Sequence, residues 1–161
     1  MAEVMQFDDL ENFKNWWLGS RPINTPDLNA LTYVAETHGV VLYRQDCYQV
    51  EMFLVKPNSE IDPHIHPNVD SFEVYIGGDI NFMCNGEWFD QNLIGNSIRV
   101  YPNSWHGGKF GERGGCFLSI QKWLNNVEPK FVGDDWVDTR KTGSYKENRE
   151  PHDANSHPVP A

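Results

Sequence analysis

HIHPNVDSFEVYIGGDINFMCNGEWF, residues 64–89, is the stretch whose reading decides the fold. It opens on His64 and His66, two apart. On an extended chain such residues point to the same side, so both imidazoles reach one ion at about 2.0–2.1 Å. Residues 71–76, SFEVYI, then alternate with the period of a strand. One face carries Asp70, Phe72, Val74 and Ile76, and the other Ser71, Glu73 and Tyr75. The apolar face is expected inside, which takes Asp70 in with the histidines and turns Glu73 outward. Gly77 and Gly78 are expected to end this strand. Asn85-Gly86, between two aromatic-rich runs, predicts a two-residue type I′ hairpin, because both central residues must tolerate positive φ.

Outward from this stretch the same period recurs. Residues 40–45, 48–55, 97–101, 106–110 and 115–123 read as further strands, with a turn near Asp46 and Cys47. Short strands at regular intervals imply an all-β sandwich or barrel. Upstream, residues 7–18 read as a short helix capped by Asp8 or Asp9 and stopped by Gly19. Its stripe of Leu10, Phe13, Trp16 and Trp17 is expected to pack on the outside of a sheet. Residues 20–32 form a connection. Residues 138–161 lack periodicity and read as a tail, partly mobile, with His152 and His157 as solvated residues. This gives three expected parts: residues 1–39, helix and connection; 40–125, barrel; 126–161, C-terminal extension.

Composition narrows the function. The chain has 161 residues, enough for one domain, and a formal net charge of −10. An acidic surface repels phosphate backbones and anionic lipid, so no nucleic-acid or membrane partner is expected. No apolar run approaches the length of a membrane span. The N-terminus lacks a basic segment followed by an apolar one, so no signal peptide is expected. Cys47, Cys84 and Cys116 are odd in number and irregularly spaced, which fits a reduced, cytoplasmic protein.

A third histidine, His106, follows the turn Tyr101-Pro102-Asn103-Ser104-Trp105. Here the sequence resembles the cupin superfamily, over residues 40–123. The first motif of that family runs Gly, five residues, His-x-His, three or four residues, Glu, six residues, Gly. Asn58, His64, His66, Asp70 and Gly77 occupy those places. The second runs Gly, five residues, Pro-x-Gly, two residues, His, and Gly95, Tyr101, Asn103 and His106 occupy it. Asn58 and Asn103 stand for glycines, and Asn tolerates positive φ. Phe110 stands where the family has a trailing Asn. Asp70 stands for the metal-binding Glu and is one methylene shorter, so it either ligates, holds a metal-bound water, or orients a histidine from behind, with Glu73 the other candidate carboxylate ligand.

The resemblance implies a single cupin barrel, a double-stranded β-helix or jelly roll, with one divalent metal on His64, His66, His106 and Asp70. Three imidazoles with or without a carboxylate suit several transition metals. The resemblance puts Fe(II) first, then Mn(II), Ni(II) or Zn(II). It implies an enzyme acting on a small organic molecule, a dioxygenase first, and next a redox-neutral lyase, isomerase or decarboxylase with Tyr101 or Glu51 as acid or base. A non-enzymatic barrel binding a sugar or acid is the third reading. Arg99, Trp105 and Gln121 are candidate substrate contacts, Arg99 being otherwise a solvated strand residue and Gln121 and Glu51 otherwise on a solvent face. Gly107 and Gly108 leave room for a ligand, or mark a bulge. A homodimer is expected, with the aromatic helix and the Tyr75 face as contact surfaces.

Overall fold

The computed structural model describes residues 7–20, 35–130, 132 and 145–148. Most of the connection at 20–32, and His152 and His157, lie outside the described residues. Helix α1 (Leu10–Gly19) starts where Asp9 accepts a hydrogen bond from the Asn12 amide at 2.9 Å. Eight strands follow: β1 (Thr37–Gln45), β2 (Tyr48–Val55), β3 (Glu60–His64), β4 (Val69–Cys84), β5 (Glu87–Gln91), β6 (Ser97–Val100), β7 (His106–Trp123) and β8 (Tyr145–Asn148). Pairing runs β5-β4-β7-β2-β1-β8, with β3 also on β7 and β6 also on β4.

The two glycines expected to end a strand instead bend one. β4 runs from Val69 to Cys84, with irregularities between Tyr75 and Gly77 and between Gly78 and Ile80. At Gly78 φ is +88°, and a Cβ there would stand 2.3 Å from the Gly114 carbonyl oxygen. Only glycine lets the two long strands cross this closely. β4 and β7 thus each pass from one wall of the barrel to the other, and so four expected strands become two. The hairpin at Asn85-Gly86 forms as the sequence implies, with φ of +51° and +85°, and Asn58 and Asn103 also take positive φ. β3 was not anticipated, because EIDPH is short, contains a proline and has Ile61 as its one strand-favouring residue. β8 lies inside the expected irregular tail and pairs parallel with β1.

The inside-outside assignment is opposite to that expected. Phe72, Val74 and Ile76 join Leu42, Val50, Met52, Leu118 and Ile120 in a core that also buries Leu10, Phe13 and Trp17 of α1. The apolar stripe of β4 therefore lies under the helix, on the outer face of the barrel. Such fully buried side chains each contribute about 1.5–3 kcal/mol. The inner face holds Tyr75, Phe53, Phe117, Phe82, Phe110 and Ile80 as an apolar plug. Phe53 and Phe117 stack at 5.1 Å. The helix stripe and Tyr75, expected to supply a dimer contact, are thus used within one chain. No helix among the described residues is long and apolar enough to cross a membrane. All three cysteines are free thiols.

Candidate metal centre

His64 ends β3, His66 sits in the turn that follows, and His106 opens β7. β3 is antiparallel to β7, with His64 opposite His106. Gly107 makes this possible, since a Cβ there would stand 2.5 Å from the Ile61 carbonyl oxygen. The space it leaves is filled by β3 and not by a ligand. The His66 carbonyl accepts from the Asn103 amide at 3.1 Å, which ties the two histidine-bearing turns together. One ligand nitrogen from each ring lies within 4.8 Å of the others, and no carboxylate among the described residues joins the group.

Each ring is held by a backbone carbonyl. His64 Nδ1 lies 2.7 Å from Asp62 O, His66 Nδ1 2.8 Å from Lys130 O, and His106 Nδ1 2.9 Å from Ser104 O. A carbonyl only accepts, so in each ring Nδ1–H donates and Nε2 carries the lone pair. Burial pulls the His64 pKa down to about 3, with the neighbouring His106 adding to it. Burial lowers His106 as well. The His64 and His106 rings are therefore largely neutral at pH 7 and ready to ligate.

These residues fit a divalent metal. His64 Nε2 and His66 Nε2 face each other at 2.9 Å. With both Nδ1 atoms protonated, neither Nε2 has a proton to give the other. A cation about 2.0–2.1 Å from each nitrogen accommodates such a separation, and turns lone-pair repulsion into ligation.

Asp70 is elsewhere. Its carboxylate is gripped by Arg99, with Nε on Oδ1 at 2.8 Å and Nη2 on Oδ2 at 2.7 Å. Arg99 pairs with Phe72 in the β4–β6 ladder, and its guanidinium lies 4.6 Å from the Phe72 ring and 4.8 Å from that of Tyr101. Asp70, Arg99 and Tyr101 therefore form an outer-face cluster, not a metal ligand and a barrel mouth. Parity is the reason: Asp70 shares the face of Phe72, which the helix covers. The four-residue spacing of the first motif fits equally well on Ser71 and Gly78 and brings an inward residue to the carboxylate position. We predict that Asp70→Asn retains the full metal stoichiometry by elemental analysis. It should lose about 1 kcal/mol of stability, the scale of a partly exposed bidentate pair. Loss of metal in that variant would restore Asp70 as a ligand.

The inner wall beside the plug is polar. Cross-strand register places Gln121 of β7 between Gln49 of β2 and Ser71 of β4, and Ser119 between Glu51 and Glu73, next to the row of Phe53, Phe117 and Tyr75. All six polar residues are buried. Gln121 is occupied: it accepts from Trp123 Nε1 at 2.8 Å and donates to Ser119 Oγ at 2.9 Å. Ser119 and Ser71 then donate to Glu73 Oε1 at 3.1 and 3.0 Å. Glu73 was expected outside. It lies inside, and burial pushes its pKa up to about 7 against the pull of the two hydroxyls. Oε1 already accepts twice, so an acid proton belongs on Oε2, which is buried and without a hydrogen-bond partner among the described residues. Burial, and after it the charges of Glu87 and Glu73, raise the pKa of the Cys84 thiol, which stands opposite His106 in the β4–β7 ladder. Trp105 is exposed, and its backbone exchanges hydrogen bonds with the backbone and side chain of Asn85. The outward pull of an apolar Phe72–Ile76 stripe hid Glu73, and only the helix stripe at 10–17, which must cover something, could have signalled it.

No family model matches the sequence, and none of the curated proteins is similar to it. Solved structures are similar in fold. KdgF from Halomonas sp. is 13% identical, with a TM-score of 0.52 over 57% of this chain and 84% of that one. A Klebsiella pneumoniae protein with a double-stranded β-helix domain is 18% identical, with a TM-score of 0.52 over 66% and 95%. The cupin domain of Schizosaccharomyces pombe Cnp3 is 10% identical, with a TM-score of 0.52 over 61% and 72%. The chain has the cupin double-stranded β-helix fold, and at these identities the likeness is one of fold alone.

Proposed function

We propose that this protein is a metal-dependent enzyme acting on a small organic molecule, and that its chemistry is redox-neutral proton transfer of the lyase or isomerase kind. The observation that carries the metal is the set of three Nε2 lone pairs, each aimed by an Nδ1–H bond to a backbone carbonyl. When bound, a divalent ion supplies Lewis acidity, polarising a carbonyl or carboxylate of the substrate. His64, His66 and His106 would hold it, and Fe(II), Mn(II), Ni(II) and Zn(II) all suit three imidazoles.

Glu73 favours proton transfer over oxygen chemistry. A carboxyl poised near pH 7 works in both directions, as base when ionised and as acid when protonated. Ser71 and Ser119 fix Oε1 and leave Oε2 as the atom that takes a proton from the substrate carbon next to the polarised group. The same oxygen returns the proton to another carbon or to a leaving group. Glu51 lies in the same inner row, across Ser119. The apolar plug keeps water from the closed end.

The test uses metal-loaded protein in D2O with a panel of small keto, hydroxy and unsaturated acids, followed by NMR and an oxygen electrode. The reading expects deuterium at the carbon next to the carbonyl or carboxylate without oxygen uptake. Oxygen uptake with an oxygenated product would make the protein the dioxygenase that the sequence first suggests. Neither, with ligands bound unchanged, would make it a binding barrel.

A further inference from the structure

His66 is pinned differently from the other two histidines. His64 and His106 donate to carbonyls two residues away on their own strands' approaches, Asp62 and Ser104. The acceptor for His66 is Lys130 O, 64 residues on in the chain and beyond the end of β7. The segment that carries it is laid across the His64–His66 turn by a specific set of bonds. Asn68 Nδ2 donates to Val127 O at 2.8 Å and to Glu128 O at 2.9 Å. Asn68 Oδ1 accepts from the Lys130 amide at 3.1 Å. Asn68 O accepts from the Leu124 amide at 2.8 Å. Ile65, between the two histidines, bridges Val132 with both of its backbone groups, at 2.7 and 3.0 Å. One asparagine side chain thus spends donors and acceptor on three successive points of the strap.

We infer that residues 127–130 with Val132 are a built part of the metal centre, and that Asn68 is the positioning residue that holds Lys130 O against His66 Nδ1 and so sets which nitrogen of His66 ligates. This rests on the metal reading above. Its physical basis is that a ring nitrogen ligates only as a lone pair, and the partner of the other nitrogen chooses the tautomer and the ring orientation. Without the strap the Nδ1–H of His66 loses the Lys130 carbonyl as its acceptor, and one donor of three is less well preorganised. Linkage makes the coupling reciprocal, so metal binding holds the strap down as much as the strap favours metal.

The experiment compares wild type, Asn68→Ala and Val132→Pro in the full chain. Val132→Pro removes the Val132 amide from its bond to Ile65 O; Val132 is half exposed, so the core is undisturbed even if Asn68→Ala folds poorly. Asp70→Asn is the control, a change two residues from Asn68 outside the strap. In metal-free protein, nitrogen NMR of the imidazoles reads each tautomer. We expect His66 to pass from a single Nδ1–H form in wild type to a mixture in both strap variants, with His64 and His106 unchanged. Titration with Co(II) then reads affinity, and we expect a loss of about 10–100-fold in the strap variants and none in the control. An unchanged His66 tautomer, or Co(II) affinity equal to wild type in both folded strap variants, overturns the inference. A wild type that takes up no Co(II) while its strap variants lose the His66 tautomer overturns the metal reading and leaves the strap's hold on His66 standing.

Discussion

Replacing His64 with alanine is expected to remove most of the protein's affinity for a divalent metal, by about 10²–10³-fold. His64 is the most buried of the three donors, at 4% exposure, and the one whose Nε2 faces that of His66 at 2.9 Å. Metal sites with a full set of protein ligands bind zinc with about 10–16 kcal/mol, so each donor accounts for about 3–4 kcal/mol. At 1.4 kcal/mol per tenfold that is the loss stated. Competition against a chromophoric chelator measures it, with elemental analysis of protein purified without added metal giving the starting stoichiometry. His106→Ala should behave in the same way, because its ring stands 4.3 Å from that of His64. Variants that fold, by circular dichroism, and bind metal within threefold of wild type would mean that the imidazoles serve packing alone.

The second large effect is on stability against pH, at Glu73. In the unfolded chain this carboxyl ionises near its ordinary value of 4.5, and in the fold only near 7. Below 4.5 it is protonated in both states and favours neither. As pH rises from 4.5 to about 7 the unfolded chain releases the proton and the folded chain keeps it, so stability falls across that window and stays low above it. At 1.36 kcal/mol per unit the full loss is about 3 kcal/mol. Glu73→Gln abolishes it. The amide places an N–H in the position of Oε2, at a cost of about 1–3 kcal/mol that does not vary with pH. Urea unfolding of chelator-treated protein at pH 5 and pH 8 isolates the effect. The variant should gain on wild type by about 2.5 kcal/mol between the two, because part of the loss has already occurred at pH 5. His64 works in the opposite sense, losing stability as pH falls from 6.5 towards 3, but it is common to both proteins and cancels in the difference. Parallel curves for the two proteins would place the Glu73 carboxyl in contact with water and withdraw it as a proton carrier.

Much of the barrel was legible because its signals are local. Period-two alternation marks strands wherever one face is buried. Asn85-Gly86 has one low-energy turn to make. Asn58 and Asn103 keep positive φ without glycine. The spacing of His64, His66 and His106 also survives into three dimensions, as their convergence within 4.8 Å shows. β3 was not legible. Its EIDPH is short, has one strand-favouring residue and a proline, and it is held in place by the absence of a side chain at Gly107, on another strand.

By itself the sequence determined the class of fold, the run of most strands, the outer helix and the three imidazoles, since each rests on neighbours in the chain or on a spacing the backbone preserves. Only the tertiary structure decided which face of β4 is inside. Alternation identifies two faces but carries no sign, and here the helix claims the apolar one and leaves Ser71 and Glu73 to the interior. For the same reason Asp70 pairs with Arg99 and not with the histidines. The hold of Lys130 on His66 likewise joins residues 64 positions apart. No local propensity encodes such a contact, because it exists only once the barrel has brought the strap and the His64–His66 turn together.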